Sequence, residues 1–210
     1  MAVVTIARQY GAGARLVGEM VAERLGYELI DQEMLDLVAH KAGVTVKKIR
    51  EIEKLAGDSL LTLVSEIIST GSITRHVPGI ATEFDEDSYR LFLKRVITEL
   101  AVREKAVIIG RGGQLILRDH PKAIRVYLMA DESDRVKYLM VRYGVSRARA
   151  EIVARKEEKK RVNFLRGFEL GDPEDLLLYH AVINMSRVDY DVAAGLIAKM
   201  AQEVDEQFHD

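Results

Sequence analysis

The chain contains no cysteine, only three prolines and no long apolar run. Without cysteine it can form no disulfides, thiolate metal sites or reactive thiols, which suits the cytoplasm, where we expect the protein. No apolar stretch approaches the ~18 residues that a membrane span needs, and no basic segment marks a signal peptide near residue 1. Few prolines and no low-complexity sequence leave no linker, so we expect one domain over residues 1–210.

Neither sign of charge dominates, because 31 Lys and Arg residues are balanced by 33 Asp and Glu residues, for a net charge of −2. We therefore expect neither a nucleic-acid partner nor a membrane partner. The five histidines are scattered without metal-ligand spacing, so no metal site is predicted. The motif Gly-x-Ser-x-Gly is also absent, which leaves no sign of a Ser-His-Asp hydrolase.

Short apolar runs alternate with amphipathic segments. This alternation predicts a three-layer α/β/α fold with a mainly parallel central sheet. The predicted strands are Val3–Ile6, Tyr27–Ile30, Ala106–Ile109, Ala123–Met129 and Ala181–Ile183. The predicted helices are Arg15–Leu25, Gln32–His40, Val46–Leu55, Asp58–Ile68, Ser88–Arg103, Glu132–Tyr143, Ser146–Asn163 and Asp189–Phe208. The Gly-, Ser- and acid-rich stretch Ser69–Asp87 is predicted to be a mobile loop.

The first strand leads into a glycine-containing turn, Arg8–Arg15, that opens a helix. Backbone N–H groups at such a helix start can surround a phosphate. The full pattern G-x-x-x-x-G-K-[ST] needs Gly, Lys and Ser/Thr where this chain has Arg8, Ala14 and Arg15. Either arginine could supply the charge that lysine normally brings, because a guanidinium binds phosphate bidentately. A tight turn with a surface arginine at position 15 is the simpler alternative.

A dinucleotide site is the rival interpretation, because Asp31 ends the second strand about 20 residues further on. The third glycine of that fingerprint would fall at Leu16, which weakens this interpretation. Ligands of open α/β sheets bind beyond the carboxyl ends of the strands, where Gly110–Gly113 also lies. Arg111 in that segment either points into the cleft and binds a substrate anion, or is a solvated residue at a helix start.

Nine basic residues crowd the region between positions 142 and 166. A solvated charged face usually explains such a run. The alternative is a lid that brings arginines to a transferring phosphoryl group, whose equatorial oxygens need positive charge. On a helix, Arg155, Glu158, Lys159 and Val162 share one face, and Arg161 lies off that face.

Five segments in register resemble the cytidylate kinase-like branch of the nucleoside monophosphate kinases. They are Ile6–Arg15, Ile108–Gly113, Arg125–Ala130, Glu158–Phe164 and Val182–Ser186. The resemblance implies a P-loop kinase fold with a helical lid over residues 144–170 and an acceptor-binding insertion over residues 41–87. It also implies transfer of the γ-phosphoryl group of ATP, with Mg²⁺, to a small phosphate acceptor, typically CMP or dCMP.

The resemblance and the first loop together imply roles for individual residues. Catalytic roles fall to Arg15, Arg155, Lys159 and Arg161. The ATP phosphates are expected at Arg8, Gly11, Ala12, Gly13, Ala14 and Arg15. The acceptor is expected at Asp31 and Arg111. Glu158 stands where this branch usually has an aspartate.

Three positions depart from the cytidylate kinase pattern. Ala14 replaces a lysine, Gly112 replaces an aspartate, and Leu16 replaces a residue whose hydroxyl usually binds the metal. These departures motivate a second hypothesis, a non-catalytic sensor that binds a nucleotide or another anion. A third hypothesis is an interaction protein with a relic pocket. In it, the apolar stretch Leu60–Ile68 forms a homodimer face instead of the core of the insertion.

Overall fold

The structure is a computed structural model that describes residues 1–31 and 86–208. The chain divides into two compact units. One, which we call the sheet unit, consists of Met1–Ile30 and Glu104–Asp210, and the other is Asp31–Arg103. The predicted helices between positions 32 and 68, the loop that follows them and the candidate homodimer face lie outside the described residues.

The sheet unit contains five strands, β1 to β5 in chain order. They are Val3–Arg8, Glu28–Ile30, Ala106–Ile109, Ala123–Met129 and Ala181–Asn184. Their spatial order is β2-β3-β1-β4-β5, and all four neighbouring pairs are parallel. This order differs from the 3-2-1-4-5-6 order of the Rossmann fold. The topology therefore gives no support to the rival dinucleotide interpretation.

The described helices are numbered α1 to α6. They are Ala14–Leu25, Glu86–Arg103, Gly113–Ile116, Glu132–Tyr143, Arg147–Arg166 and Tyr190–Gln207. A 3₁₀ turn covers Leu176–Leu178. No helix in the described ranges combines the length and the apolar character that crossing a membrane requires.

Helices cover both faces of the sheet. On one face, Ile6 of β1 and Val126 of β4 share a buried apolar cluster with Val17 of α1 and Ile197 of α6. On the opposite face, the start of α3 lies against β1, since a Cβ built on Gly113 would lie 3.3 Å from the Thr5 methyl group. The predicted three-layer architecture with a parallel sheet is confirmed.

A second, smaller apolar cluster joins α4 to α5. Val136 and Leu139 of α4 are buried against Ala150 and Ala154 of α5. The small alanine side chains allow the two helices to approach closely, while the charged residues of α5 remain outside the cluster. This packing fixes which faces of α5 are available for other contacts.

Most predicted boundaries agree with the structure within a few residues, and the differences have local causes. β1 runs to Arg8 instead of Ile6, because Ala7 and Arg8 continue the parallel pairing with Tyr127 and Leu128 of β4. α5 runs to Arg166 and β5 to Asn184, beyond their predicted ends. Of the expected insertion over residues 41–87, only the last two residues, which begin α2, are described.

Candidate functional site

The loop that follows β1 begins at the middle strand of the sheet. β3 pairs with one edge of β1 and β4 with the other, so the strand order changes direction at this point. Such a switch point opens a crevice beyond the carboxyl ends of the strands. Gln9 anchors this loop, because its N–H donates to the Leu128 carbonyl (2.9 Å) and its Oε1 accepts from the Ala130 N–H (3.0 Å). We call residues 9–13 the β1–α1 loop.

Gly13 ends this loop and caps α1 with a left-handed backbone, at φ 78° and ψ 17°. Tyr190 at the start of α6 covers it, so a Cβ on Gly13 would lie 2.5 Å from the Tyr190 ring. Glycine satisfies both requirements at this position. The first turn of α1 contains no acidic residue and no side-chain cap. The N–H groups of this turn point out of the helix end, as in any α-helix, and no acidic or capping side chain competes with an anion there.

Three residues at the start of α1 bear on the missing lysine and hydroxyl of the phosphate-loop kinases. Ala14 is buried and brings no polar group. The Arg15 side chain is 44% exposed, and its Nε donates to Oε1 of Glu19, one turn along the same helix (3.1 Å). Leu16 is an exposed apolar side chain. The helix start therefore provides neither a lysine nor a hydroxyl group.

Arg8 at the end of β1 lies over Gly110, the residue that follows β3. A Cβ on Gly110 would lie only 1.7 Å from Nη1 of Arg8. Burial lowers the pKa of Arg8 to about 10, with further lowering by Arg111 and Arg161 and opposition from Glu158. Three guanidinium groups from three different elements therefore influence one another at the end of β1.

Arg111 belongs to the turn between β3 and α3, as its motif predicts. The turn is closed by the Gly113 N–H, which donates to the Gly110 carbonyl (3.0 Å). Arg111 has a φ of 53°, a conformation uncommon for a residue with a side chain. Its guanidinium carbon lies 5.5 Å from the centre of the Phe164 ring, at the C-terminal end of α5. Strained backbone of this kind concentrates at functional sites.

Glu158 connects α5 to the β1–α1 loop. Its Oε2 accepts from the Tyr10 N–H (2.8 Å), and its Oε1 accepts from Nη2 (2.7 Å) and Nε (3.0 Å) of Arg161. The Arg161 side chain is only 15% exposed, and its Cζ lies 6.0 Å from the centre of the Tyr127 ring. A carboxylate of the predicted lid therefore accepts a hydrogen bond from a backbone N–H group of the loop.

The charge of Arg161 is held in a partly buried setting. Burial lowers its pKa, but hydrogen bonds and charge attraction from Glu158, with help from Tyr127 and Tyr179, raise it above its ordinary value overall. Tyr127 and Tyr179 stack with their ring centres 5.1 Å apart. Among the described residues, Nη1 of Arg161 is buried without a hydrogen-bond partner. This N–H group can donate to an oxyanion that enters the site.

A cavity of 590 Å³ runs along α5 and the start of α4, a size typical of small-molecule sites. Four cationic and three acidic side chains line it, with three other residues: Arg135, Arg155, Lys159, Arg166, Glu132, Glu158, Glu174, Ala154, Val162 and Asn163. The predicted shared face of Arg155, Glu158, Lys159 and Val162 is confirmed. Arg161 lies off this face and is turned towards Tyr127.

The described residues fit a polyphosphate better than a resident metal ion. They contain no group of three His, Cys, Asp or Glu side chains that could hold a metal, and Leu16 supplies no hydroxyl. The arginines and the N–H groups at the start of α1 favour an anion over a metal cation. They are hydrogen-bond donors that carry positive charge or lie at the positive end of a helix dipole.

The predicted arginines of the site fall into two groups. Arg8 and Arg111 lie beside the β1–α1 loop with Arg161, whereas the Arg15 side chain pairs along α1 and Arg155 is 73% exposed. Asp31 directly follows β2 and belongs to the second unit, Asp31–Arg103.

Sequence reasoning missed three contacts. These are the Glu158–Tyr10 hydrogen bond, the Tyr190 ring over Gly13, and Arg135, whose Nη1 donates to the Tyr10 carbonyl (3.4 Å). Only Glu158 had a signal in the sequence, its place within one of the five matching segments. Tyr190 and Arg135 lie in ordinary helix starts that carry no motif.

Comparison with known proteins identifies the fold. An uncharacterized protein from Eubacterium ventriosum is 22% identical, with 96% of this chain and 99% of that chain covered and a TM-score of 0.66. A gluconokinase from Sinorhizobium meliloti is 17% identical, with 99% and 98% covered and a TM-score of 0.53. At these identities the similarity concerns the fold alone, and the predicted P-loop kinase-like fold is confirmed.

Sequence comparison identifies the family. No curated protein sequence matches the chain significantly. A sequence model of the cytidylate kinase-like family matches residues 3–187, from the start of β1 to the turn after β5. This match covers all five segments that carried the resemblance. The chain therefore belongs to the cytidylate kinase-like family.

Proposed function

We propose that this protein transfers the γ-phosphoryl group of ATP to a small phosphate-bearing acceptor, a nucleoside monophosphate such as CMP or dCMP. Membership of the family supports phosphoryl transfer as the reaction class. Phosphoryl transfer demands positive charge around the transferring group and little covalent chemistry by the protein. The described residues beside the β1–α1 loop have this character.

The observation that carries the proposal is the cluster of Arg8, Arg111 and Arg161. Burial and the two neighbouring arginines lower the pKa of Arg8 to about 10, and Glu158 opposes them. Bringing like charges together is unfavourable for folding, and it is expected where an anion is to be bound. The arginines come from β1, from the turn after β3 and from α5, so the cluster depends on the tertiary fold.

In this mechanism the N–H groups at the start of α1 bind the nucleotide phosphates, and Arg111 binds the phosphate of the acceptor. An oxygen of that phosphate attacks the γ-phosphorus as the bond to ADP breaks, so no strong base is needed. Arg161 stabilises the charge on the equatorial oxygens. Arg155 and Lys159 act from the lid face of the cavity, which excludes water when it closes.

Mg²⁺ enters this mechanism bound to the nucleotide. Magnesium is commonly held by substrate phosphates and several water molecules in addition to one or two carboxylates. Bound in this way, Mg²⁺ would neutralise phosphate charge. The described residues contain no group of three His, Cys, Asp or Glu side chains, and their arginines would meet the remaining charge of the phosphates.

Two measurements on the same protein test the proposal. Calorimetric titration with ATP and Mg²⁺ reports binding, and a coupled ADP-release assay over a panel of nucleoside monophosphates reports turnover. We expect binding and turnover with at least one pyrimidine monophosphate. Binding without turnover on any acceptor would contradict the kinase function.

A non-catalytic sensor is the second candidate, and the start of α1 favours it. Ala14 is buried and apolar where a phosphate-loop lysine would stand, and Leu16 offers no hydroxyl. A sensor would bind ATP and release it unchanged. ADP release with any monophosphate in the panel excludes a pure sensor.

A further inference from the structure

The lysine of the full phosphate-loop pattern is replaced by Ala14, so another group must balance the negative charge of a bound polyphosphate. We propose that Arg8, not Arg15, supplies this charge, and that Gly110 is the residue that makes room for the Arg8 side chain. This inference rests on the proposed function, because it concerns the phosphates that the function requires.

The first argument is steric. Arg8 ends β1 and Gly110 follows β3, and these two strands are paired, with Ile6 opposite Ile109. The Gly110 N–H donates to the Ile6 carbonyl (3.0 Å), which holds the two strand ends together. A Cβ on Gly110 would lie 1.7 Å from Nη1 and 2.9 Å from Cζ of Arg8. Any other residue at position 110 would therefore displace the guanidinium.

The second argument is electrostatic. Arg8 lies close enough to Arg111 and Arg161 for each to disfavour its charge, and burial disfavours it further. An arginine that meets phosphate oxygens gains two parallel charge-assisted hydrogen bonds from its planar fork. Even with its pKa lowered to about 10, Arg8 stays protonated at neutral pH.

The third argument is the contrast with Arg15. Its side chain is 44% exposed and pairs with Glu19 at spacing i,i+4 on α1. Arg147 and Glu151 on α5 form the same kind of pair, with a distance of 3.0 Å. Exposed pairs of this kind contribute little free energy and occur on many helices. The Arg15 contact is therefore explained by helix geometry alone.

The experiment titrates the full chain with inorganic tripolyphosphate and with ATP, and follows thermal unfolding with and without tripolyphosphate. We expect Arg8→Gln to weaken tripolyphosphate binding at least tenfold, or about 1.4 kcal/mol. Arg15→Gln should weaken it less than twofold, like the matched control Arg147→Gln. Without ligand, Arg8→Gln should raise Tm, because the folded pKa of Arg8 lies below its unfolded value and its charge opposes folding at neutral pH.

A second pair of variants tests the steric part. Gly110→Ala should lose tripolyphosphate binding as Arg8→Gln does. Gly144→Ala is its matched control, because Gly144 has a similar positive φ (62° against 73°) but nothing within 4 Å of the added Cβ. It should keep wild-type affinity. Arg8→Lys, which keeps the charge without the planar fork, should bind with intermediate affinity and decides the question if Arg8→Gln does not fold.

The outcomes separate this inference from the proposed function. If Arg15→Gln loses binding and Arg8→Gln keeps it, Arg8 is not the lysine substitute, while the wild-type protein still binds and turns over ATP. If Arg8→Gln lowers Tm and leaves affinity unchanged, Arg8 is a structural residue and the inference is wrong. If the wild-type protein binds neither tripolyphosphate nor ATP, the proposed function fails as well.

Discussion

Two acid–base pairs on α5 are alike in sequence and different in surroundings. Glu157–Lys160 and Glu158–Arg161 both have spacing i,i+3, and both have a closest N–O distance of 2.7 Å. The Lys160 side chain is 60% exposed, whereas that of Arg161 is 15% exposed. Consecutive residues of a helix point about 100° apart, so a shift of one position turns the pair from solvent towards the β1–α1 loop.

The difference teaches that a charged run on a helix can have two roles at once. The Lys160 end of the outer pair belongs to the solvated surface that such a run usually indicates, while Glu157 is 32% exposed, close to the 25% of Glu158. The inner pair reaches the β1–α1 loop, because Glu158 accepts the Tyr10 N–H and Arg161 affects the pKa of Arg8. The burial of the cation separates the two roles, because Arg161 lies beside the Tyr127 ring whereas Lys160 faces solvent.

The largest expected effect comes from the cation of the inner pair. Arg161→Met should lower kcat/KM at least about 100-fold, or ~2.7 kcal/mol, because it removes a cation that stabilises the equatorial oxygens. Lys160→Met, its outer counterpart, should stay within twofold of wild type. Coupled ADP-release kinetics measure both variants, and circular dichroism checks that both are folded. Equal effects of the two changes would show that the inner pair has no special role.

A smaller effect is expected on stability when the acid of each pair is neutralised. Glu158→Gln should lower the free energy of unfolding by about 2 kcal/mol, because Arg161 then keeps its charge in a partly buried place without a carboxylate. Glu157→Gln should lower it by less than about 0.5 kcal/mol, because the Lys160 charge that it leaves behind is 60% exposed and stays solvated. Urea unfolding at neutral pH measures both. A similar loss of unfolding free energy for the two variants would contradict the contrast in burial between Arg161 and Lys160.

The same two variants should differ in anion binding. Glu158 places a negative charge beside Arg8 and occupies the Tyr10 N–H, so it competes with a phosphate for the same donors. Glu158→Gln should bind tripolyphosphate about fivefold more tightly, or ~1 kcal/mol, and Glu157→Gln should bind as wild type does. Weaker binding by Glu158→Gln would mean that the carboxylate orients Arg161 for the anion instead of competing with it.

Much of the fold could be predicted from the sequence because its signals are local. The buried run Ala106–Ile109 and the alternating run Ala123–Met129 have the predicted bounds. The sequence predicts a first strand that ends at Ile6 and leaves out Arg8. Its strand conformation comes from pairing with Leu128 across the sheet, and pairing partners are not written in a local pattern.

The candidate site could be predicted only in part, for the same reason. The two glycine turns that follow β1 and β3 are local patterns, and both were expected from the sequence. The choice between Arg8 and Arg15 depends on which residue faces Gly110, a contact between residues about 100 positions apart. Periodicity set Arg161 apart from the shared face of α5, but it could not indicate that Tyr127 lies beside it.

The smallest expected effect is the coupling within each pair, and it sharpens the comparison most. In a double-mutant cycle, Glu157→Gln with Lys160→Met should show a coupling of about 0.3 kcal/mol that vanishes near 1 M NaCl, where the Debye length falls to about 3 Å. Glu158→Gln with Arg161→Met should keep most of a larger coupling, since salt screens partly buried charges much less. Urea unfolding in low and high salt measures both cycles. If the inner coupling also vanished in salt, Glu158 and Arg161 would be as solvated as their neighbours, and burial could no longer be the reason why one pair reaches the loop and the other does not.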